Sequence, residues 1–188
     1  YIILLYSMPL CFIATAGFAA LFLSDFLRLR TLKGAEPSAL AGYLLVAGSI
    51  AGFAAPGVRE AATPDLQAAA GVLISLVFGA LLLYSVFIEI PRAQKKRGLG
   101  ARTALTGGTY GFSRHPGFLW FVGLMGGLLL ARRGGGLPFA ACLVILDFLL
   151  VLVQDVYYFP RFFENYQGYR SRVPFLLGFG RRRADGRS

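Results

Sequence analysis

The chain has 188 residues, of which 56% are hydrophobic and 15% charged, with a net charge of +10 and a mean hydropathy of +0.64. A soluble domain carries about 25% charged residues, and the apolar excess here is gathered into runs near the roughly 20 residues that cross a ~30 Å hydrocarbon core. A soluble enzyme, a disulfide-stapled secreted domain and a disordered tail are excluded; the composition predicts an all-α, polytopic membrane helical bundle.

Five apolar segments predict about five transmembrane helices, over residues 1–23, 38–58, 66–90, 117–131 and 137–158. Spanning strands would alternate polar and apolar residues and close into a barrel, which these runs do not do. Arg28, Arg30 and Lys33 follow the first segment, and Arg59, Glu60 and Asp65 follow the second. Within the second, Ala47, Gly48, Ala51, Gly52 and Ala55 read as a face for close helix packing in lipid. The third segment is followed by a strongly basic stretch, Arg92, Lys95, Lys96, Arg97, Arg102 and Arg114. The fourth is short; Arg132, Arg133, Gly134–Gly136 and the helix-starting Pro138 after it predict a tight hairpin with the fifth. The tail then carries Arg161, Arg170, Arg172, Arg181, Arg182, Arg183 and Arg187.

Basic loops stay on the cytoplasmic side of a membrane. That rule places the first loop, the 92–116 stretch and the tail in the cytoplasm and Tyr1 outside, with Arg132 and Arg133 as the only dissenting pair. Residues 1–91 form an N-terminal three-helix region, and 92–188 a C-terminal region of basic loop, hairpin and amphipathic tail. The chain opens without Met, so residues are expected before Tyr1, and no secretory signal pattern marks the start. The integral membrane setting accounts for the positive charge through anionic lipid headgroups. Nucleic acid is not an expected partner, since no basic helix or aromatic RNA-binding box accompanies the charge. Cys11 and Cys142 lie in apolar spans and read as small buried hydrophobes, with no metal-ligand spacing.

Chemistry is concentrated at the two ends of the hairpin. The loop before the fourth segment ends Thr106-Gly107-Gly108-Thr109-Tyr110-Gly111-Phe112-Ser113-Arg114-His115-Pro116. Arg114 and the chain's single histidine thus stand at the threshold of a helix that Pro116 can start, whose first N–H groups carry partial positive charge. They form a site for a carboxylate-bearing or anionic ligand, or anchor the helix at the headgroups. In the tail, Tyr166 and Tyr169 share one helix face, and Val173-Pro174 ends that helix; the pair reads as an interfacial anchor or as the wall of a cavity for a planar ring or sulfonium cation. Asp147, Gln154, Asp155 and Tyr158 fall on one face of the fifth helix. Asp147 either extends a polar cavity or, protonated, hydrogen-bonds Tyr84 or Ser85. Glu89 reads as an interfacial partner of Arg92.

Gly108-x-Tyr110-x-x-x-Arg114-His115-Pro116, followed by a Gly-rich helical hairpin and then by Phe162, Phe163, Tyr166, Tyr169, Val173 and Pro174, resembles the membrane methyltransferase superfamily. That group contains isoprenylcysteine carboxyl methyltransferases, phospholipid N-methyltransferases and NnrU-like proteins. The resemblance covers residues 95–176 and implies S-adenosylmethionine as cofactor and a lipid-like acceptor entering from the cytoplasmic leaflet, as in a bacterial inner membrane. It implies Arg114, His115 and Asp155 as catalytic residues. Tyr110, Arg114, His115, Gln154, Asp155, Tyr166 and Tyr169 would hold the cofactor in a polar hollow between loop and tail. The family's paired Glu are Gln154 and Asp155 here; Phe118 stands for a Tyr, and Trp120 and Phe163 stand for Gly. These departures motivate an alternative, a non-catalytic scaffold subunit that binds other membrane proteins. A nicotinamide-binding relative of sterol reductases is a third reading.

Overall fold

The computed structural model describes residues 2–60, 66–98 and 102–177, and the side chains of all of these except 2–7, 56–60 and 97. Tyr1, Asp65, Arg181, Arg182, Arg183 and Arg187 lie outside the described residues, as do the side chains of Arg59, Glu60 and Arg97. Described residues form helices joined by turns: α1 (Ile2–Leu29), α2 (Ala35–Glu60), α3 (Leu66–Leu83), α4 (Ile90–Arg97), α5 (Pro116–Ala131), α6 (Leu137–Val153), α7 (Phe159–Phe162) and α8 (Tyr166–Arg172).

Four helical stretches are long and apolar enough to span a membrane: Met8–Leu29, Ala35–Ala55, Leu66–Lys96 and Leu137–Phe162. The fifth, α5, has 16 residues, roughly 24 Å at about 1.5 Å per residue, so it is short for a lone span, as its sequence suggested. Exposed aliphatic and aromatic side chains such as Phe12, Leu44, Leu76 and Ile145 ring the outside, which suits hydrocarbon rather than water as solvent. The protein is a helical integral membrane protein.

Two of these stretches are longer than the apolar runs implied, and proline explains both. Pro91 and Pro160 lack an N–H, and each ring crowds the carbonyl four residues earlier. In both cases the chain widens into a π-helical turn just before the proline, at Tyr84–Glu89 and Gln154–Tyr158, and the helix then continues as α4 or α7. The division read at residue 91 therefore falls inside one continuous helical run.

Helices α1 and α2 pack lengthwise, as do α3 and α5, and α6 lies against α1 and α5. Ala14, Phe18, Phe53, Phe121, Met125, Phe139 and Leu143 form the core where they meet. Small residues do permit close approach, and of those read from the sequence Gly52 takes part, packing on Leu10 of α1. Ala47, Ala51 and Ala55 are exposed and Gly48 faces open space. The tightest backbone approaches use Gly17 and Gly42 between α1 and α2, and Gly71 and Gly127 between α3 and α5: a Cβ on Gly71 would lie 2.3 Å from the Ala131 nitrogen.

The predicted hairpin is present, turning through residues 132–136 between α5 and α6. Arg132 bends inward, donating Nη1 to the Phe53 carbonyl at 2.8 Å and stacking its guanidinium over the Phe53 ring. At the opposite end of the bundle, Gln154 Nε2 donates to Asp25 Oδ2 at 2.8 Å. The first loop, the basic stretch after α3 and the tail thus gather at one end. Cys11 and Cys142, half-buried, face each other across α1 and α6.

Candidate functional site

The site forms where the loop 102–115 and the tail 163–176 wrap each other at the basic end. Asn165 is the clasp: its Oδ1 accepts from the Ala104 N–H at 2.8 Å and its Nδ2 donates to the Ala104 carbonyl at 3.0 Å. The Glu164 N–H reaches the Arg102 carbonyl, and the Arg114 N–H reaches the Pro174 carbonyl, both at 3.0 Å. As read from the sequence, Pro116 opens α5 and Val173, in extended conformation, ends α8.

A second anchor holds the other side of the loop. Glu89, in the π turn after α3, accepts from the Thr109 N–H at 2.8 Å and from the Thr109 hydroxyl. Gly108 adopts φ +66°, and a Cβ there would overlap Glu89 Oε1, so the loop passes this close to α3 only with glycine. Glu89 was expected to pair with Arg92; it turns to the loop instead because Thr109 offers two aligned donors to a carboxylate that is nearly buried.

At the centre, three groups converge on one oxygen, Asp155 Oδ1. Arg114 Nε lies 3.0 Å away as an ion-pair contact, His115 Nε2 3.2 Å away, and the Tyr166 hydroxyl donates at 2.5 Å. Oδ2 has Arg170 Nε at 4.0 Å. Arg114 also donates Nη1 to the Arg170 carbonyl at 3.2 Å. Arg114 is 8% exposed, His115 5%, Asp155 3% and Tyr166 1%. The imidazole stacks parallel to Phe159 and meets Phe175 edge-on.

That enclosure sets the protonation states. Burial holds His115 below its ordinary value, against the pull of Asp155 upward and with the Arg114 charge adding to the depression. The ring is therefore neutral near pH 7, and because a carboxylate only accepts, its proton sits on Nε2. Burial pushes the Tyr166 phenol up, reinforced by its bond to Asp155, and pushes Tyr169 and Tyr110 up as well.

Of the residues read as a site, Arg114, His115, Asp155 and Tyr166 meet directly. Tyr169 joins at one remove, its hydroxyl donating to the Tyr110 carbonyl at 2.6 Å. The Tyr110 side chain turns away to the Ser85 carbonyl at 3.3 Å, and Gln154 leaves for Asp25 on α1. The polar hollow expected between loop and tail is occupied by their own side chains. A cavity of about 180 Å³ opens instead on the far side of the loop, lined by Tyr84, Glu89, Arg92, Ala93, Lys96, Leu105, Gly107 and Gly108. Trp120 packs beside Phe78 and Phe163 against Phe159 and Phe162. Asp147 bonds neither Tyr84 nor Ser85: the Ser85 hydroxyl donates to the Leu82 carbonyl, and Asp147 lies in the electrostatic neighbourhood of Tyr43 on α2.

Sequence reasoning missed Arg170, Phe159, Phe175 and the Glu89–Thr109 anchor. Arg170 follows Tyr169 directly, and Glu89 is an acid at the end of an apolar run twenty residues from a Gly-Gly-Thr turn; those were the available signals. The arrangement defines a membrane protein with a buried Arg–His–carboxylate–Tyr centre at the basic end of its bundle. No protein-family model matches the chain, and neither a curated protein nor a solved structure matches it.

Proposed function

We propose that the protein is a membrane-embedded, S-adenosylmethionine-dependent methyltransferase acting on a lipid-like or hydrophobic acceptor at the cytoplasmic leaflet, in a bacterial inner membrane. The observation that carries this reading is the convergence of Arg114, His115 and Tyr166, from two separate segments, on Asp155 at the basic end of a lipid-facing bundle. The donor set fits the cofactor's chemistry. A guanidinium pair, Arg114 and Arg170, suits its carboxylate; Asp155 suits its ammonium group; the tyrosine rings suit a sulfonium. The cofactor brings an already activated methyl group, so the protein's work is alignment and exclusion of water. His115, held neutral, adds no cationic charge beside a sulfonium.

The site is closed, so binding proceeds by exchange of partners. Arg170, whose side chain is 43% exposed, is the group freest to move from Asp155. The same closure favours a second reading, a scaffold that keeps the polar centre as an internal lock and offers its outer helix faces to other membrane subunits. Thermal unfolding of the purified protein with S-adenosylhomocysteine separates the two. The methyltransferase reading expects saturable stabilisation, weakened in Arg170→Ala; no shift at millimolar ligand overturns it.

A further inference from the structure

The cavity between α4 and the loop has a composition that the polar centre does not explain. Arg92 and Lys96 stand four residues apart on α4, both exposed, and neither has a carboxylate partner among the described residues. The one acid in the wall, Glu89, has both oxygens engaged by Thr109. Two cations thus face one carboxylate that is held toward the loop, and the cavity wall carries a net positive charge. Gly107 and Gly108 complete the wall, with the Glu89 carboxylate packed against Gly108.

The cavity's position selects among anions. The helical run that carries Arg92 and Lys96 is the membrane-spanning stretch Leu66–Lys96, and the turn before them exposes Tyr84, Phe87 and Ile88 outward. An apolar flank thus leads directly to a cationic cleft at the end of a span, the depth at which headgroup phosphates lie. We propose that this cavity binds the phosphate of a membrane phospholipid, with Arg92 and Lys96 as ligands to the phosphate oxygens and the acyl chains running along Tyr84 and Ile88. Arg92 supplies a forked pair of donors and Lys96 a compact charge. The site is separate from the Asp155 centre and does not depend on methyl transfer.

Thermal unfolding in neutral detergent tests it, with phosphatidylglycerol, phosphatidylcholine or inorganic phosphate added to the wild type and to an Arg92→Gln/Lys96→Gln double variant. Both side chains are exposed, so the lipid-free melting temperature of the variant is expected to match the wild type. Phosphatidylglycerol should stabilise the wild type at a concentration at least tenfold below that needed for the variant, and inorganic phosphate at equal concentration should not. Equal midpoints for the two proteins would overturn the site. Stabilisation by inorganic phosphate as strong as by lipid would overturn the lipid as its source. Should the double variant fail to fold, Lys96→Gln alone is expected to raise the midpoint, and an unchanged midpoint again refutes the proposal.

Discussion

Gln154 and Asp155 are neighbours in the chain, yet they lead into two polar regions of opposite character. Asp155 points to the loop and tail, where Arg114, His115 and Tyr166 satisfy it and Asn165, Pro174 and Tyr110 tie the surrounding backbone. Gln154 points to the seam of α1, α2 and α6, where it bonds Asp25. There Arg28 pairs with Glu36, the Tyr158 hydroxyl lies near Arg28 Nε without an aligned hydrogen bond, and Asp147 lies in the electrostatic neighbourhood of Tyr43. Helices spend most of their backbone donors and acceptors internally, so a helix–helix seam offers a polar side chain few backbone partners, such as the Ala20 carbonyl that accepts from Ser38. A loop folded over a tail offers free carbonyls and N–H groups as well. The closed region thus buries the Arg114–Asp155 pair with a backbone carbonyl as an added partner.

Substitutions can break this contrast. The largest loss is expected for Asp155→Leu, which strands a buried guanidinium; removal of one partner from a buried pair costs about 3–5 kcal/mol. Thermal unfolding in detergent should show it as a large drop in Tm or as failure to accumulate. At the neighbouring position, Gln154→Leu removes one donor from Asp25 and is expected to cost about 1–2 kcal/mol. A loss at Gln154 equal to that at Asp155 would erase the distinction.

A pH series sharpens the contrast with a smaller effect. The folded-state pKa of His115 lies below its unfolded value, because burial outweighs the carboxylate. The folded protein therefore binds fewer protons, and the contribution of His115 is complete above about pH 6.5 and declines as pH falls from there toward the depressed value. Tm should fall on acidification from pH 8 to 5, with a shallower slope in His115→Gln, whose amide can still donate to Asp155. Equal slopes would place the sensitive group elsewhere.

Helix identity was legible because lipid imposes it: long apolar runs have no other way to satisfy their backbone. Their ends were less so. Residues 66–90 read as closing before Pro91, but a wide turn absorbs the proline and the helix continues to Arg97. In the site, Arg114, His115 and Tyr166 stood out by residue type and spacing, and Asp155 was joined to them by what the resemblance implied. Gln154 was misplaced because adjacent helical residues diverge by about 100°, and its i+7 relation to Asp147 governs its direction more than its nearness to Asp155. The Glu89–Thr109 anchor depends on a left-handed Gly108, a choice made by the folded loop rather than by any periodicity. The small-residue face of α2 was legible only at Gly52 for a related reason: small residues permit contact, and the packing of α1 on α2 and of α3 on α5 decided which glycines used it.

The central claim is that Asp155 locks loop, tail and α6 together through Arg114. A double-mutant cycle with Arg114→Leu and Asp155→Leu, read by unfolding in detergent, tests it most directly. Each single variant should lose several kcal/mol while the double loses far less than their sum, since removing both charges leaves neither stranded. Additive losses would contradict the account.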